Sequence, residues 1–299
     1  FMFCISTHKT FLWTLPLLID KQEFPVVLKV DNCIWVHDSL PIVAPHQSSS
    51  SLESIEVGPH VGRTMQVDDI RPEGWACTYL IANDGKAVLI DPVWDYIEHY
   101  RTVMDQRNLE LIACMATHTH ADHITACFTL SKDSQIPFYM WKDTASLGVT
   151  DHVDESSVVE LAGIEYRFHH VPGHTQDSMI IAIEGHIFTG DFLFNGTAGV
   201  GRDDLPSGRL MEHWNSIQSL AHLSDDVLVC SGHEPPGTEL HSLGWNRKNN
   251  PILGMKTFEE FSIWQKQTAE QLGSVSKIKT ALPANLFAEI PEEIPWFKP

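Results

Sequence analysis

The chain has 299 residues, 43% of them hydrophobic and 20% charged, enough for one large domain or two modest ones with a proper core. A formal net charge of -19, with no basic stripe and no Gly-rich phosphate loop, excludes a nucleic-acid partner. No apolar stretch approaches the roughly 20 residues that span a bilayer, so a membrane partner is set aside as well.

Residues 1–61 read as an N-terminal extension, with Pro16, Pro25, Pro41, Pro45 and Pro59 and a serine tract, Ser48 to Ser51, that reads as a linker. Phe11 to Ile19 is a short apolar run behind Lys9 that resembles a signal-peptide core but lacks a small-x-small cleavage site. Val26 to Val36 has room for a strand or two. No role attaches to this segment.

Residues 62–299 are expected to form the catalytic domain. Thr78 to Ala82 and Ala87 to Ile90 are β-branched-rich runs on either side of Asn83-Asp84-Gly85, a hairpin signal. Val93, Ile97, Tyr100 and Met104 are spaced for one face of a helix. Leu109 to Ala116 is a buried-strand pattern that runs straight into Thr117-His118. Val158 to Val171 and Met179 to Thr189 read as two strand pairs turning near Ala162-Gly163 and Glu184-Gly185. Leu210, Trp214, Ile217 and Ala221 mark another helix, and Val227 to Cys230 another strand. Thr257 with Glu260 forms a capping box. The alternation predicts packed sheets flanked by helices.

Seventeen histidines against twenty Lys plus Arg direct the search to metal ligands. The decisive segment is Thr117-His118-Thr119-His120-Ala121-Asp122-His123. A loop leaving a strand end displays alternate residues in one direction, so His118 and His120 can converge. Asp122 and His123 are expected at the start of the next helix, facing the same pocket from the other side. Imidazole and carboxylate donors suit zinc, iron or manganese. Three further signals stand at strand ends: Pro172-Gly173-His174, Thr189-Gly190-Asp191 and Ser231-Gly232-His233.

In this order, H-x-H-x-D-H, G-H, G-D and G-H, residues 62 to about 285 resemble the metallo-β-lactamase superfamily. The resemblance implies a mixed α/β (α+β) fold, an αββα four-layer sandwich with its metal site at one edge of the two sheets. It implies one pocket of His118, His120 and His174, a second of Asp122, His123 and His233, and Asp191 between them.

Two thiol-related branches look closest, the glyoxalase II hydrolases of glutathione thioesters and the persulfide dioxygenases, which oxidise glutathione persulfide to sulfite. The second is favoured by Cys77-Thr78-Tyr79-Leu80, Ala87 to Pro92, Thr117 to Thr125, Gly201-Arg202-Asp203-Asp204 and Leu282-Pro283-Ala284-Asn285. It implies one Fe(II) per chain held by His118, His174 and Asp191, with dioxygen and a thiol persulfide as reactants. His120, Asp122, His123 and His233 then orient the ligands, and Asp122 and His123 are the candidate catalytic residues. Arg202 and Asp204 are the candidate substrate-binding residues. Arg202 either steers a glutathione carboxylate or pairs with Asp203 or Asp204.

The hydrolase branch stays open because every residue of the second pocket is present. It implies two Zn(II), or zinc with iron. Gly232-His233-Glu234-Pro235-Pro236 and Leu286-Phe287-Ala288 depart from the dioxygenase pattern and are expected to shape the substrate mouth. A non-catalytic protein on a retained fold would have lost ligands, and here the set is intact.

Cys4, Cys33, Cys77, Cys114, Cys127 and Cys230 form no C-x-x-C pair, and three of them sit inside apolar runs. This predicts a reducing compartment, the cytoplasm or, by family analogy, the mitochondrial matrix. Aromatic edges such as Trp245 would suit a homodimer contact.

Overall fold

The computed structural model describes residues 65–297, together with the backbone of three strands nearer the start of the chain. The chain divides into two compact units, Phe1–Ser51 and Leu52–Pro299. In the first, β1 (Cys4–Thr7), β2 (Thr10–Ile19) and β3 (Gln22–Val30) form an antiparallel sheet. The apolar run Phe11 to Ile19 therefore lies in a strand. The Ser48–Ser51 tract and the part of Val26 to Val36 beyond Val30 lie outside the described residues.

The second unit holds two six-stranded sheets. One runs in sequence order through β4 (Gln66–Asp69), β5 (Tyr79–Asn83), β6 (Lys86–Ile90), β7 (Glu110–Met115), β8 (Phe138–Trp141) and β9 (Asp151–Val153). The other runs through β10 (Val158–Leu161), β11 (Ile164–His170), β12 (Met179–Ile183), β13 (His186–Gly190), β14 (Leu228–Ser231) and β15 (His241–Ser242). Asp84 and Gly85 both take positive φ, the two-residue turn that joins β5 to β6. The helices are α1 (Ile97–Arg107), α2 (Cys127–Ser134), α3 (Leu210–Ser219), α4 (Leu243–Asn249), α5 (Phe258–Leu272) and α6 (Ile278–Phe287). The Thr257–Glu260 capping box is formed at the start of α5.

The period of two in each strand sends alternate side chains into different layers. Tyr79, Ile81, Val88, Ile90 and Met115 of the first sheet meet Tyr166, Phe168, Ile181, Phe188 and Cys230 of the second in a central core. Their neighbours Leu80, Ala82, Leu89 and Cys114 face outward onto α1, α2 and α6. Ile180, Ala182, Ile187 and Val229 face the other way, onto α3, α4 and α5. Strands buried on both faces explain why their sequences read as unbroken apolar runs. Truncating Phe168 or Phe188 to alanine in the central layer would cost about 3–5 kcal/mol. The result is helix, sheet, sheet, helix.

Strands β6 and β7 are parallel, as are β13 and β14. Parallel neighbours end at the same edge, and the chain leaves those ends as loops over the mouth of the sandwich. A hydrogen bond from Met179 N to Thr117 O, 2.9 Å, ties the loop edges of the two sheets together. Among the described residues no helix is long and apolar enough to cross a membrane. Cys77, Cys114, Cys127 and Cys230 are buried free thiols, and burial pushes the Cys77 thiol up to about 12.

Candidate metal centre

Four carboxyl-terminal strand ends supply the site. Asp91 follows β6, His118 follows β7, Asp191 follows β13 and His233 follows β14, while His174 lies in the loop between β11 and β12. Gly190 makes the approach to Asp191 possible. Its φ is +51°, and a Cβ there would stand 2.2 Å from Thr117 Oγ1 and 3.0 Å from His118 Nδ1. A Cβ on Gly232 would stand 2.4 Å from Asp191 Oδ1. Both glycines let backbone pass against a ligand where any side chain would collide.

His118, His174 and Asp191 bring ligand atoms within 4.8 Å of one another, and His120, Asp122 and His123 do the same. The two clusters touch, since the His118 and His120 rings lie 4.2 Å apart. His118 and His174 are 4.9 Å apart, and His120 and His123 are 4.2 Å apart. His233 bridges two carboxylates, with Nδ1 2.7 Å from Asp191 Oδ1 and Nε2 3.0 Å from Asp122 Oδ2. The seven metal-site residues read from the sequence are thus brought together, grouped as two triads with His233 between them.

Partners on one ring nitrogen leave the other free. Nδ1 of His118 meets the Thr117 hydroxyl at 2.9 Å, and Nδ1 of His174 donates to Arg202 O at 2.5 Å. Nε2 of His120 lies 3.2 Å from Asp91 Oδ1. The buried nitrogens left over, His118 Nε2, His120 Nδ1 and His123 Nε2, have no hydrogen-bond partner. Burying such a nitrogen unpaired costs about 1–3 kcal/mol. His118 Nε2 beside Asp191, and His120 Nδ1 with His123 Nε2 beside Asp122, are donor sets that fit a divalent cation at either triad.

The electrostatics agree with that donor set. Burial, with His120 alongside, holds His118 well below the usual imidazole range, in the neutral form that ligates. Burial also lowers His123, against the pull of Asp122. Burial opposes ionisation of Asp191, but His233, His174 and His118 outweigh it and keep the carboxyl well below its ordinary value. Asp122 is lowered against the same burial by His123 and His233. His233 is raised well above its ordinary value, because Asp191 and Asp122 overcome its desolvation.

One local expectation is corrected. Asp122 and His123 do not open a helix; they lie in an irregular loop, and α2 begins at Cys127. Tertiary partners satisfy the loop backbone instead: Asn285 Nδ2 donates to the His120 and His123 carbonyls, and Trp94 N donates to Ile124 O. Arg202 forks onto Asp204, with Nε–Oδ1 and Nη2–Oδ2 both 2.6 Å, and its Nη1 donates to Gly273 O at 2.7 Å. The guanidinium is therefore committed to Asp204 and to the end of α5. Glu234, expected at the mouth, turns inward and takes Asn195 N, Asn195 Nδ2 and the Ser231 hydroxyl.

Sequence reasoning missed two acids that organise the site. Asp91 accepts Thr117 N and Thr117 Oγ1, both at 2.7 Å, and faces His120. Its position directly after β6 was the available signal. Asp177 accepts hydroxyls from Thr119, Thr144 and Thr175. Only its place three residues past His174 marks it in the sequence.

An αββα sandwich that collects histidine and aspartate side chains along one edge of both sheets defines a class of metal-dependent proteins. The metallo-β-lactamase superfamily model matches residues 77–233, and the chain belongs to that superfamily. Hydroxyacylglutathione hydrolase from Xanthomonas campestris pv. campestris (strain B100) is 34% identical over 161 residues, 54% of this chain and 60% of that relative. The chain thus matches less than two thirds of the length of that curated relative. The crystal structure of ETHE1 from Myxococcus xanthus is similar at a TM-score of 0.66 and 28% identity, covering 76% of this chain and 99% of that one. A structure of TTHA1623 in a di-iron-bound form is similar at a TM-score of 0.50 and 26% identity, covering 62% of this chain and 99% of that one.

Proposed function

We propose that residues 62–299 form a persulfide dioxygenase that oxidises glutathione persulfide, or a related thiol persulfide, to sulfite. The observation that carries the reading is the cluster of His118, His174 and Asp191, two histidines and one carboxylate within 4.8 Å. Such a facial triad leaves positions open for two reactants. The likeness to ETHE1 over nearly all of that chain, beside the motifs that resemble the persulfide dioxygenases, supports it. One persulfide, one dioxygen and one water balance as one thiol, one sulfite and two protons.

When bound, one ferrous ion supplies Lewis acidity for the terminal sulfur and electrons for dioxygen, whereas a zinc pair, or zinc with iron, supplies an acidified water and a polarised thioester carbonyl. The chain's own residues set the stage. Arg202 O fixes the ring of His174, and Asp91 with Thr117 fixes the orientation of the His118–His120 segment. His233 holds a proton between Asp191 and Asp122, and Asp122 Oδ2 lies 3.2 Å from His123 Nδ1.

A dinuclear thioester hydrolase is the second reading. It is favoured by the His120, Asp122 and His123 cluster and by the hydroxyacylglutathione hydrolase relative. Oxygen uptake by ferrous-reconstituted protein given glutathione persulfide decides between them. Uptake that needs both the persulfide and His118 supports the dioxygenase. No uptake with iron bound, and hydrolysis of a glutathione thioester by the zinc-loaded protein, overturns it in favour of the hydrolase.

A further inference from the structure

The Leu282–Asn285 stretch is far in sequence from every ligand, yet its last residue lies against the metal loop. Asn285 is 2% exposed, and its side-chain amide makes three hydrogen bonds of 2.9 Å. Nδ2 donates to His120 O and to His123 O, and Oδ1 accepts Thr125 N. This pattern uses both amide donors and settles the flip of the group, since the reversed amide would set oxygen against two carbonyls.

The segment from His120 to Thr125 has no helix and a single β-bridge, Thr125 to Val93, so most of its backbone groups need other partners. Asn285 supplies three of them. The residue is itself held firmly: the Ser146 hydroxyl donates to Asn285 O at 2.7 Å, and Leu147 N donates to Leu286 O at 2.8 Å. Ala281 and Ala284 of α6 are buried in the core shared with α2. In contrast, His118 and Asp191 stand just beyond strand ends, where the sheets place them.

We propose that Asn285 is a positioning residue of the metal centre, holding His120, Asp122 and His123 in ligating geometry through their own backbone. This makes α6 a working part of the site and rests on the reading that these clusters bind metal. His120 lies 4.2 Å, ring to ring, from both His118 and His123, so a shift of the loop reaches both clusters.

The test is cobalt(II) titration of the full chain followed by visible absorption, with amide exchange at Thr125 measured in parallel. Asn285→Asp keeps an acceptor for Thr125 N but removes both donors, while Asn285→Ala removes all three bonds. Lys279→Gly weakens the same helix at an exposed position and touches neither Asn285 nor the loop. Both Asn285 variants are expected to lose about tenfold or more in cobalt affinity and to shift the absorption bands. Thr125 exchange should accelerate in Asn285→Ala and stay slow in Asn285→Asp. Lys279→Gly should bind cobalt as the wild type does. Unchanged affinity and spectrum in the Asn285 variants overturn the proposal, as does an equal loss in Lys279→Gly. A wild-type chain that takes up no cobalt overturns the metal reading, and the proposal with it.

Discussion

Asp177 accepts both the backbone N–H and the hydroxyl of Thr119, at 3.2 and 2.5 Å, from the loop on the opposite sheet. Thr119 stands between His118 and His120, and Asp177 stands three residues beyond His174. The Thr144 and Thr175 hydroxyls complete the set, each at 2.7 Å. One buried carboxylate therefore registers the ligand loops of the two sheets against each other. Asp177→Asn turns an acceptor into a donor facing hydroxyls and should cost about 2 kcal/mol in urea unfolding. It should also weaken cobalt binding. A loss below about 0.5 kcal/mol, the range of an ordinary surface change, would remove Asp177 from this role.

The stability of the fold should depend on pH through His213. This residue is fully buried on α3, and burial pushes its imidazole down to about 3, although Nε2 bonds Phe192 O. In the unfolded chain it would take up a proton near about pH 6.5. Between those values the unfolded state binds more protons, so this contribution is complete above the upper value and lost as pH falls through the window. The slope is at most about 1.4 kcal/mol per pH unit. Asp203, 3.9 Å from Nδ1, is raised to about 6 by burial and by Asp204, and works in the opposite direction as pH rises through its own range. Urea unfolding from about pH 4.5 to about 7.5 should show a gentler acid decline in His213→Gln than in the wild type. Parallel curves would contradict the assignment.

Gly190→Ala is expected to destabilise the chain by about 2 kcal/mol or more, because positive φ and the contact with Thr117 act together. The displaced Thr117 carries His118 with it, so the cobalt spectrum should change as well as the melting temperature. A variant that melts lower with an unaltered spectrum would show that the strain is absorbed away from His118.

Metal content separates the two clusters. His174→Ala removes one of three ligands from the triad and should leave about a tenth or less of the wild-type iron after ferrous reconstitution. Asp122→Ala strips His233 of one of its two carboxylates, and should abolish thioester hydrolysis by a metal pair while partial iron occupancy survives. Equal and complete loss in both variants would merge the clusters into one cooperative site.

Much of this was legible in the sequence because it is written locally. The hairpin at Asp84-Gly85, the capping box at Thr257 and the apolar runs of β7 and β12 are set by neighbours within a few residues. The histidine and aspartate ligands stand beside strand ends for the same reason. What escaped was fixed by partners far along the chain. The irregular loop at Asp122 depends on Asn285, and the inward turn of Glu234 depends on Asn195 and Ser231. Arg202 remained ambiguous until its fork onto Asp204 was visible, since a charged triplet offers several pairings and sequence does not choose among them.

Because the first triad takes His118 from one sheet and His174 with Asp191 from the other, neither sheet can hold the ion by itself. A ribosome-bound chain that has released only the first sheet presents one of the three donors. The amide that steadies the His120–His123 loop emerges later still, on α6. If the site binds metal as proposed, loading is a late event in biosynthesis, and metal content would distinguish chains that have docked their C-terminal helix from those clipped or stalled before it.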